Sequence, residues 1–390
     1  MRRLELTEGA PAHGIELTEA EARAVALSEI AELNRAPGET GWQVAPGRKI
    51  GVVQVDDLQI SVTPKIPVER LIFLMGYATA PAYWREHSVQ LDPEESLPEA
   101  LAHAFARLAQ RATEQGLLQG YRTVDDSVQV LRGRIRVSEQ IGRRHGAGLP
   151  LDVTYDDFTV DVAENQILLA AVTKLLRIPG LDARRRPTLQ RLRLRLQLAG
   201  VAELRRGEVL PLWTPSRLNS RYVPALRLAE RILAGESFEQ RRGELHVSGF
   251  VLDMWKIYED FVGVALREAL ALRGSASLQH RMHLDIARRV DLRPDFLWTG
   301  HEGQQIVVDA KYKSEKSAGY PQADLYQLLA YCTVLGLREG HLVYAKGNEV
   351  EIVHEIQGAG VAIHCHTLDL DQPPHTLLHQ IASLAARLAD

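Results

Sequence analysis

A chain of 390 residues, 45% hydrophobic and 25% charged, is long enough for two buried cores and ordinary in composition for a globular protein. Its formal net charge of −4 excludes the bulk basic field on which a stand-alone nucleic-acid binder relies, but not a subunit brought to DNA by a partner. Two cysteines exclude a disulfide framework, no apolar core follows Met1-Arg2-Arg3, and the longest nearly uncharged run, 71–84, is too short to span a bilayer, so a cytoplasmic location is expected.

Residues 17–36 form an acidic, alanine-rich helical pattern. Strand-like runs at 49–55 and 58–63 flank an Asp56-Asp57 turn. Pro64-Lys65-Ile66-Pro67 stops the second run and leaves Lys65 available to a partner. Helical patterns follow at 68–78 and 94–115. Residues 120–140 read as extended, with a tight turn at Arg132-Gly133-Arg134. Those arginines suit either the tip of an element inserted into a partner or a surface turn paired with acids such as Asp125 and Asp126.

Asp161 is the expected N-cap of a helix reaching about 176, with Glu164-Asn165 as capping and interaction residues. Between 184 and 206 a predicted helix carries Arg184, Arg185, Arg186, Arg191, Arg193, Arg195, Arg205 and Arg206, either as a solvated face or as a strip for phosphates or a partner. A Glu-, Arg- and Gly-rich linker covers 235–249. The chain is accordingly divided into an α+β partner-binding region, 1–245, with the arginine-rich helical connector inside it, and an α/β domain, 246–390, with a central mixed sheet. In the latter a helix at 250–272 precedes strands at 280–287, 290–298 and 304–311, a helix at 321–335, strands at 341–345, 351–356 and near 361–366, and a helix from 374.

The chemistry concentrates in Arg293-Pro294-Asp295-Phe296 and Ile306-Val307-Val308-Asp309-Ala310-Lys311. In an extended segment Asp309 and Lys311 share a face. The turn-rich stretch Trp298-Thr299-Gly300-His301-Glu302-Gly303 predicts a hairpin that brings Asp295 to Asp309. Two carboxylates so placed call for a cation, and Mg²⁺ accepts one or two carboxylates while keeping its waters. A metal there polarises a scissile phosphate and generates hydroxide, while Lys311 orients water or stabilises developing charge. Glu259 on the opening helix is the candidate third acid, with Asp260 and Asp253 as competitors. Gln327 and Tyr331 lie four apart on one helical face, Gln327 suited to hold a phosphate or water and Tyr331 to pack. Lys313 either contacts DNA or is solvated. His280, His283, His364 and His366 read as structural or surface residues, since no second Cys/His cluster stands at zinc spacing.

In this order, Glu259, Pro294-Asp295, Asp309-Ala310-Lys311 and Gln327-x-x-x-Tyr331 resemble the PD-(D/E)xK nucleases whose following helix carries a Gln-Tyr pair. Upstream, Val62-Thr63-Pro64-Lys65-Ile66, Leu131-Arg132-Gly133-Arg134-Ile135 and Asp161-Val162-Ala163-Glu164-Asn165-Gln166-Ile167-Leu168 resemble the spaced motifs of the McrC family, nuclease subunits of the McrBC modification-dependent restriction system. Gln166 departs from the Asn-Arg expected in that family. The resemblance implies a restriction-endonuclease-like C-terminal domain cutting double-stranded DNA with Mg²⁺. Asp295, Asp309, Glu259 and the Ala310 carbonyl would be metal ligands, with Lys311 and Gln327 as catalytic helpers. It also implies docking of the N-terminal region, through residues such as Lys65, Arg132 and Arg134, on a McrB-like AAA+ ring. That partner would hydrolyse GTP and recognise modified cytosine. The chain itself carries no Gly-x-x-x-x-Gly-Lys-Ser/Thr loop, so GTP is expected on the partner. Two other classes remain open, a non-catalytic adaptor that only stimulates the GTPase, and a stand-alone repair exonuclease.

Overall fold

A computed structural model describes residues 2–35, 41–87, 95–145, 148–205, 208–242, 245–312, 322–345 and 352–389. Lys313 and Arg206 lie outside the described residues. Residues 1–104, 178–180 and 235–390 form one compact unit, and 105–177 with 181–234 form a second.

The first stretch lays down β1 (Arg2–Thr7), β2 (His13–Ile15), α1 (Glu19–Ser28), β3 (Ala31–Arg35), β4 (Trp42–Pro46), β5 (Lys49–Val55), β6 (Leu58–Thr63), α2 (Val68–Tyr77), α3 (Pro81–Glu86) and α4 (Leu97–Thr113). A capping box starts α1: Thr18 Oγ1 accepts from Glu21 N, and Glu21 Oε2 accepts from Thr18 N. Glu29, left-handed at φ 56, ends it. The helical pattern read over 17–36 therefore holds only for its first part, because 31–35 pairs as β3 with β4. The β5–β6 hairpin turns at Asp56, as expected.

The second unit contains β7 (Gly120–Val128), β8 (Arg134–Ile135), α5 (Val137–Arg144), β9 (Leu151–Thr159), α6 (Ala163–Leu175), α7 (Arg186–Leu198) and α8 (Val223–Ala234), with sheet order β7-β9-β8. Gly133 turns the chain at φ 70, where a Cβ would strike the Thr154 carbonyl of β9. The N-cap of α6 is Val162, without a side-chain hydrogen bond, and not Asp161. Asp161 is drawn instead into tertiary bonds: its Oδ1 accepts from Gln166 Nε2 (2.7 Å) and Ala202 N (2.8 Å), and it pairs with Arg122. Buried Asn165 donates to the Leu118 and Val160 carbonyls at 2.9 and 2.7 Å. In α7 the leucines Leu189, Leu192 and Leu196 are buried. Several of its arginines are committed locally: Arg186 to the Leu176 and Leu181 carbonyls, Arg193 to Glu203, Arg195 to the Thr113 carbonyl. They tie this unit together, while Arg184 and Arg191 remain exposed.

The last stretch comprises β10 (Glu236–Arg242), β11 (Leu245–Asp253), α9 (Met254–Leu270), β12 (Gly274–Leu278), β13 (Met282–His283), β14 (Asp291–Leu292), β15 (Phe296–Gly300), β16 (Gln305–Lys311), α10 (Gln322–Leu335), β17 (Glu339–Ala345), β18 (Ile352–Ile356), β19 (Val361–Leu368) and α11 (Pro374–Ala389). The expected linker at 235–249 is a hairpin whose second strand pairs antiparallel with β5, giving the sheet order β1-β6-β5-β11-β10. Only glycine allows that approach at Gly51, where a Cβ would meet the Phe250 carbonyl. A boundary at 245/246 would cut this sheet at β11, so the chain partitions differently from the division read in the sequence. The strand expected at 280–287 also breaks up, because Gln279 (φ 53) ends β12 and a separate β13–β14 pair follows.

The catalytic candidates sit on a mixed sheet of order β12-β15-β16-β17-β19-β18, parallel through β16, β17 and β19. Leu328, Tyr331 and Cys332 of α10 cover one face, against Val307, Leu342, Ile363 and Cys365. In the same unit Phe261 of α9 packs on Phe73 and Tyr77 of α2, with ring centroids 6.0 and 5.6 Å apart. Each such buried ring contributes about 1.5–3 kcal/mol. Cys332 and Cys365 are buried, and neither is joined in a disulfide. Among the described residues no helix is long and apolar enough to cross a membrane.

Candidate active site

Strands β15 and β16 form the expected antiparallel hairpin, with Phe296 opposite Val308. Asp295 therefore emerges beside the end of β16. Its Oδ2 accepts from Ala310 N at 3.0 Å. Gln279 holds it from the other side, Nε2 donating to Oδ1 (2.6 Å) and the backbone N–H donating to the Asp295 carbonyl (2.9 Å). In an antiparallel ladder the N–H and C=O of one residue face the same neighbour. The Ala310 carbonyl thus leaves β16 on the edge where Asp295 stands.

On the other register of β16, Lys311 Nζ lies 2.5 Å from Asp309 Oδ2. The same ammonium donates to Gln327 Oε1 (2.9 Å), and Gln327 Nε2 donates to Tyr331 Oη (2.9 Å). Two residues about one turn apart on α10 thereby hold the lysine in place. Burial pulls Lys311 down, but the charge and hydrogen bond of Asp309, then Asp295 and Asp324, outweigh it, and the net shift is upward. The group stays an ammonium, a donor and not a base.

The carboxylates are crowded and poorly solvated. Asp295, 8% exposed, is pushed up to about 7 by burial and then by the charge of Asp309. Glu259 on α9 is pushed up to about 8 by burial and then by Asp295, with Lys256 and Lys311 opposing. Glu259 thus feels the charges of Asp295, Lys311 and Asp309, the residues of the hairpin. The competitor Asp260 pairs instead with Lys256 at 2.8 Å, and Asp253 stands at the N-cap of α9. Oxygen donors short of positive charge fit a hard divalent cation. Among the described residues no group of three His, Cys, Asp or Glu side chains is placed to hold a metal ion. The fit is therefore to an ion held by a few carboxylates and a carbonyl that keeps its waters, which is the habit of Mg²⁺.

Three neighbours of this centre carry no motif-like signal in the sequence. Gln279 orients Asp295 from a left-handed backbone position. Asp324 is buried, accepts from Tyr344 Oη at 2.9 Å, and adds charge near Lys311. Its place three residues before Gln327 on one helical face was the available clue. Tyr312, next to Lys311, donates to Glu8 Oε2 (2.7 Å), and its ring lies 5.9 Å from that of Tyr258, the neighbour of Glu259.

Other predicted residues are placed elsewhere. The Lys65 ammonium lies 5.2 Å from the Tyr312 ring centroid, and its backbone N–H donates to Glu8. Arg132 stacks on Tyr155 (4.1 Å) and pairs with Asp157 (3.1 Å), and Asp125 pairs with Arg136 (3.4 Å), so the pairing expected with Asp125 and Asp126 falls on different residues. Arg134 is exposed on β8. His341 and His366 share a 3.2 Å Nδ1–Nε2 contact, and burial, then His366 and His364, push His341 down to about 3. His341 is thereby held neutral. His283 pairs with Asp291 at 3.0 Å, and His280 lies 3.4 Å from Ser277 Oγ.

The family model described as "McrBC 5-methylcytosine restriction system component" matches residues 44–345. No curated protein sequence matches the chain. Among solved structures, the chain is similar to one in the refined half-complex from a tetradecameric assembly of Thermococcus gammatolerans McrB AAA+ hexamers with bound McrC. Identity is 17%, the TM-score is 0.56, and 99% of each chain is covered. A second similarity is to a chain in the cryo-EM structure of the Thermococcus gammatolerans McrBC complex, at 20% identity and TM-score 0.40, covering 69% of this chain and 88% of that one. The first likeness shows a shared fold over essentially the whole length.

Proposed function

The chain belongs to the family of McrBC 5-methylcytosine restriction system components, and we propose that it is the DNA-cutting subunit of such a system, of the McrC kind. The reaction is Mg²⁺-dependent hydrolysis of phosphodiesters in double-stranded DNA by a PD-(D/E)xK-type site. One observation carries this reading: Asp295 bonded to Ala310 N–H beside an Asp309–Lys311–Gln327–Tyr331 chain, with Glu259 in electrostatic contact.

Asp295, Asp309 and the Ala310 carbonyl would hold the ion, with Glu259 beside them as the third acid. Bound there, Mg²⁺ supplies Lewis acidity toward a phosphoryl oxygen and lowers the pKa of water. Lys311, kept protonated and aimed by Gln327, donates to the attacking water or to a non-bridging oxygen as charge develops. Tyr331 fixes Gln327, and Gln279 fixes Asp295, so the donors are positioned before substrate arrives.

The partner in this reading is a McrB-like AAA+ ring that binds GTP and selects DNA carrying modified cytosine. The solved complex of similar fold contains McrB AAA+ hexamers with bound McrC. Arg132 and Arg134, on a β turn in the second unit, are the residues assigned to that docking. The test is cleavage of methylated and unmethylated plasmid by the purified chain with Mg²⁺, with and without the AAA+ partner and GTP. Cutting only with partner, GTP and methylated DNA supports the proposal. GTPase stimulation without cutting, or digestion of free ends by the chain alone, defeats it.

A further inference from the structure

A short arm grows directly out of the catalytic carboxylate. Residues 280–293 leave Gln279, which is bonded twice to Asp295, and return through Arg293-Pro294 to Asp295 itself. Strands β13 and β14 pair with each other and not with the main sheet. Met282 and Leu292 anchor the base on the Leu328–Tyr331–Cys332 core under α10. The tip is tightly tied: Asp285 Oδ1 accepts from Arg289 N (2.7 Å) and Val290 N (2.8 Å), Leu284 N donates to the Val290 carbonyl (2.9 Å), and Arg288 is left-handed at φ 56.

This arm presents a local excess of positive charge to solvent. It holds four arginines, Arg281, Arg288, Arg289 and Arg293, against two acids, Asp285 and Asp291, in a protein of net charge −4. All four arginines are exposed. The two acids are partly engaged, Asp285 in the turn and with Arg289 (3.9 Å), Asp291 with His283 (3.0 Å). At the tip Ile286 is fully exposed, and Leu284 and Val290 are each 46% exposed. An apolar tip rimmed by arginines matches the charge of a phosphate backbone and the apolar depth of a DNA groove.

We propose that residues 280–293 are a DNA-gripping arm, in which Arg281, Arg288, Arg289 and Arg293 contact the phosphates of duplex DNA and Ile286 enters a groove, holding the backbone against Asp295 and Asp309. The inference rests on the nuclease reading above and assigns its substrate grip. Because the bulk charge is negative, phosphate attraction must come from local clusters of this kind.

The test uses the full chain with its AAA+ partner, GTP, Mg²⁺ and methylated duplex, comparing wild type with Arg288→Ala/Arg289→Ala, Ile286→Ser, Asp309→Ala and the remote exposed pair Arg23→Ala/Arg48→Ala. The arginine double variant is expected to raise KM for DNA roughly tenfold with kcat within about twofold, and to lower the slope of log KM against log salt by about 2. Ile286→Ser should raise KM without changing that slope, and the remote pair should behave as wild type. Unchanged KM and slope in Arg288→Ala/Arg289→Ala overturn the arm, as does an equal loss in the remote pair. A loss of GTPase stimulation at unchanged KM would make the arm a partner contact and overturn it too. If wild type fails to cut, or Asp309→Ala cuts normally, the nuclease reading itself falls and takes the arm with it.

Discussion

Asp295→Asn should abolish cleavage and yet stabilise the metal-free protein at pH 8. The wild-type carboxyl is 8% exposed and pushed up to about 7 by burial and by Asp309, against roughly 3.9 in an unfolded chain. A carboxyl raised in the folded state binds a proton there that the unfolded chain has already lost. Its contribution is therefore fully present below about pH 4 and is lost as pH rises through about 7. At roughly 1.4 kcal/mol per unit, keeping Asp295 ionised at pH 8 costs at most about 4 kcal/mol.

An amide removes that cost and keeps most of the hydrogen bonding. Its oxygen can still accept from Ala310 N, and Gln279 can turn its own amide to accept from the new N–H₂ group. Residual mismatch of about 1–3 kcal/mol leaves a net gain of about 1–3 kcal/mol. The assay is urea denaturation in EDTA at pH 5 and pH 8, followed by tryptophan fluorescence. Trp42, Trp84, Trp255 and Trp298 all lie in the unit that holds Asp295, so the signal reports chiefly on it. The stability difference should widen from pH 5 to pH 8. Saturating Mg²⁺, at about 100 times its Kd, should add about 2.7 kcal/mol to wild type and little to the variant. A variant less stable than wild type at pH 8, or a difference that does not vary with pH, would refute the carboxylate-crowding argument.

Asp309→Ala and Lys311→Ala should each lose cutting while retaining partner binding and GTPase stimulation. Plasmid nicking and GTP turnover measured on the same preparations check this, and normal cutting by either variant sinks the assignment. Gln327→Ala releases the lysine from its 2.9 Å bond and should lower the single-turnover cleavage rate about 10–100-fold, as for other orienting residues. Tyr331→Phe should cost less, since the Lys311–Gln327 bond itself stays in place. Asn165→Ala removes the side-chain donor of the Leu118 and Val160 carbonyls, of which Val160 still accepts from Val162 N, and should destabilise the second unit by about 1–3 kcal/mol, read by Trp213, whose fluorescence reports that unit. Gly133→Ala forces a Cβ onto the Thr154 carbonyl at φ 70; it should cost about 1–2 kcal/mol locally and weaken GTPase stimulation while leaving Mg²⁺ binding intact.

The catalytic hairpin was legible because everything that makes it is local. Ile306-Val307-Val308 is an unbroken apolar run, as a strand buried on both faces must be. Asp295 and Ala310 are brought together by a turn that the glycines at 300 and 303 announce. Helix α10 follows the same logic, since a spacing of four residues places Gln327 against Tyr331 whatever surrounds them. What escaped is what depends on distant chain. Asp161 has the chemistry of an N-cap, but Arg122, Gln166 and Ala202 N claim its oxygens and the helix starts without it. Residues 31–35 continue a helical pattern until β4 offers a ladder. Strand β11 reads as a linker because its partner, β5, lies almost two hundred residues earlier and leaves no trace in local periodicity. Glu8 shows the functional side of the same limit: nothing near it in sequence points to catalysis, yet it accepts from the tyrosine beside Lys311. The same carboxylate takes the backbone N–H of Lys65, so two residues just past β1 and the β5–β6 hairpin meet the strand end that carries Lys311.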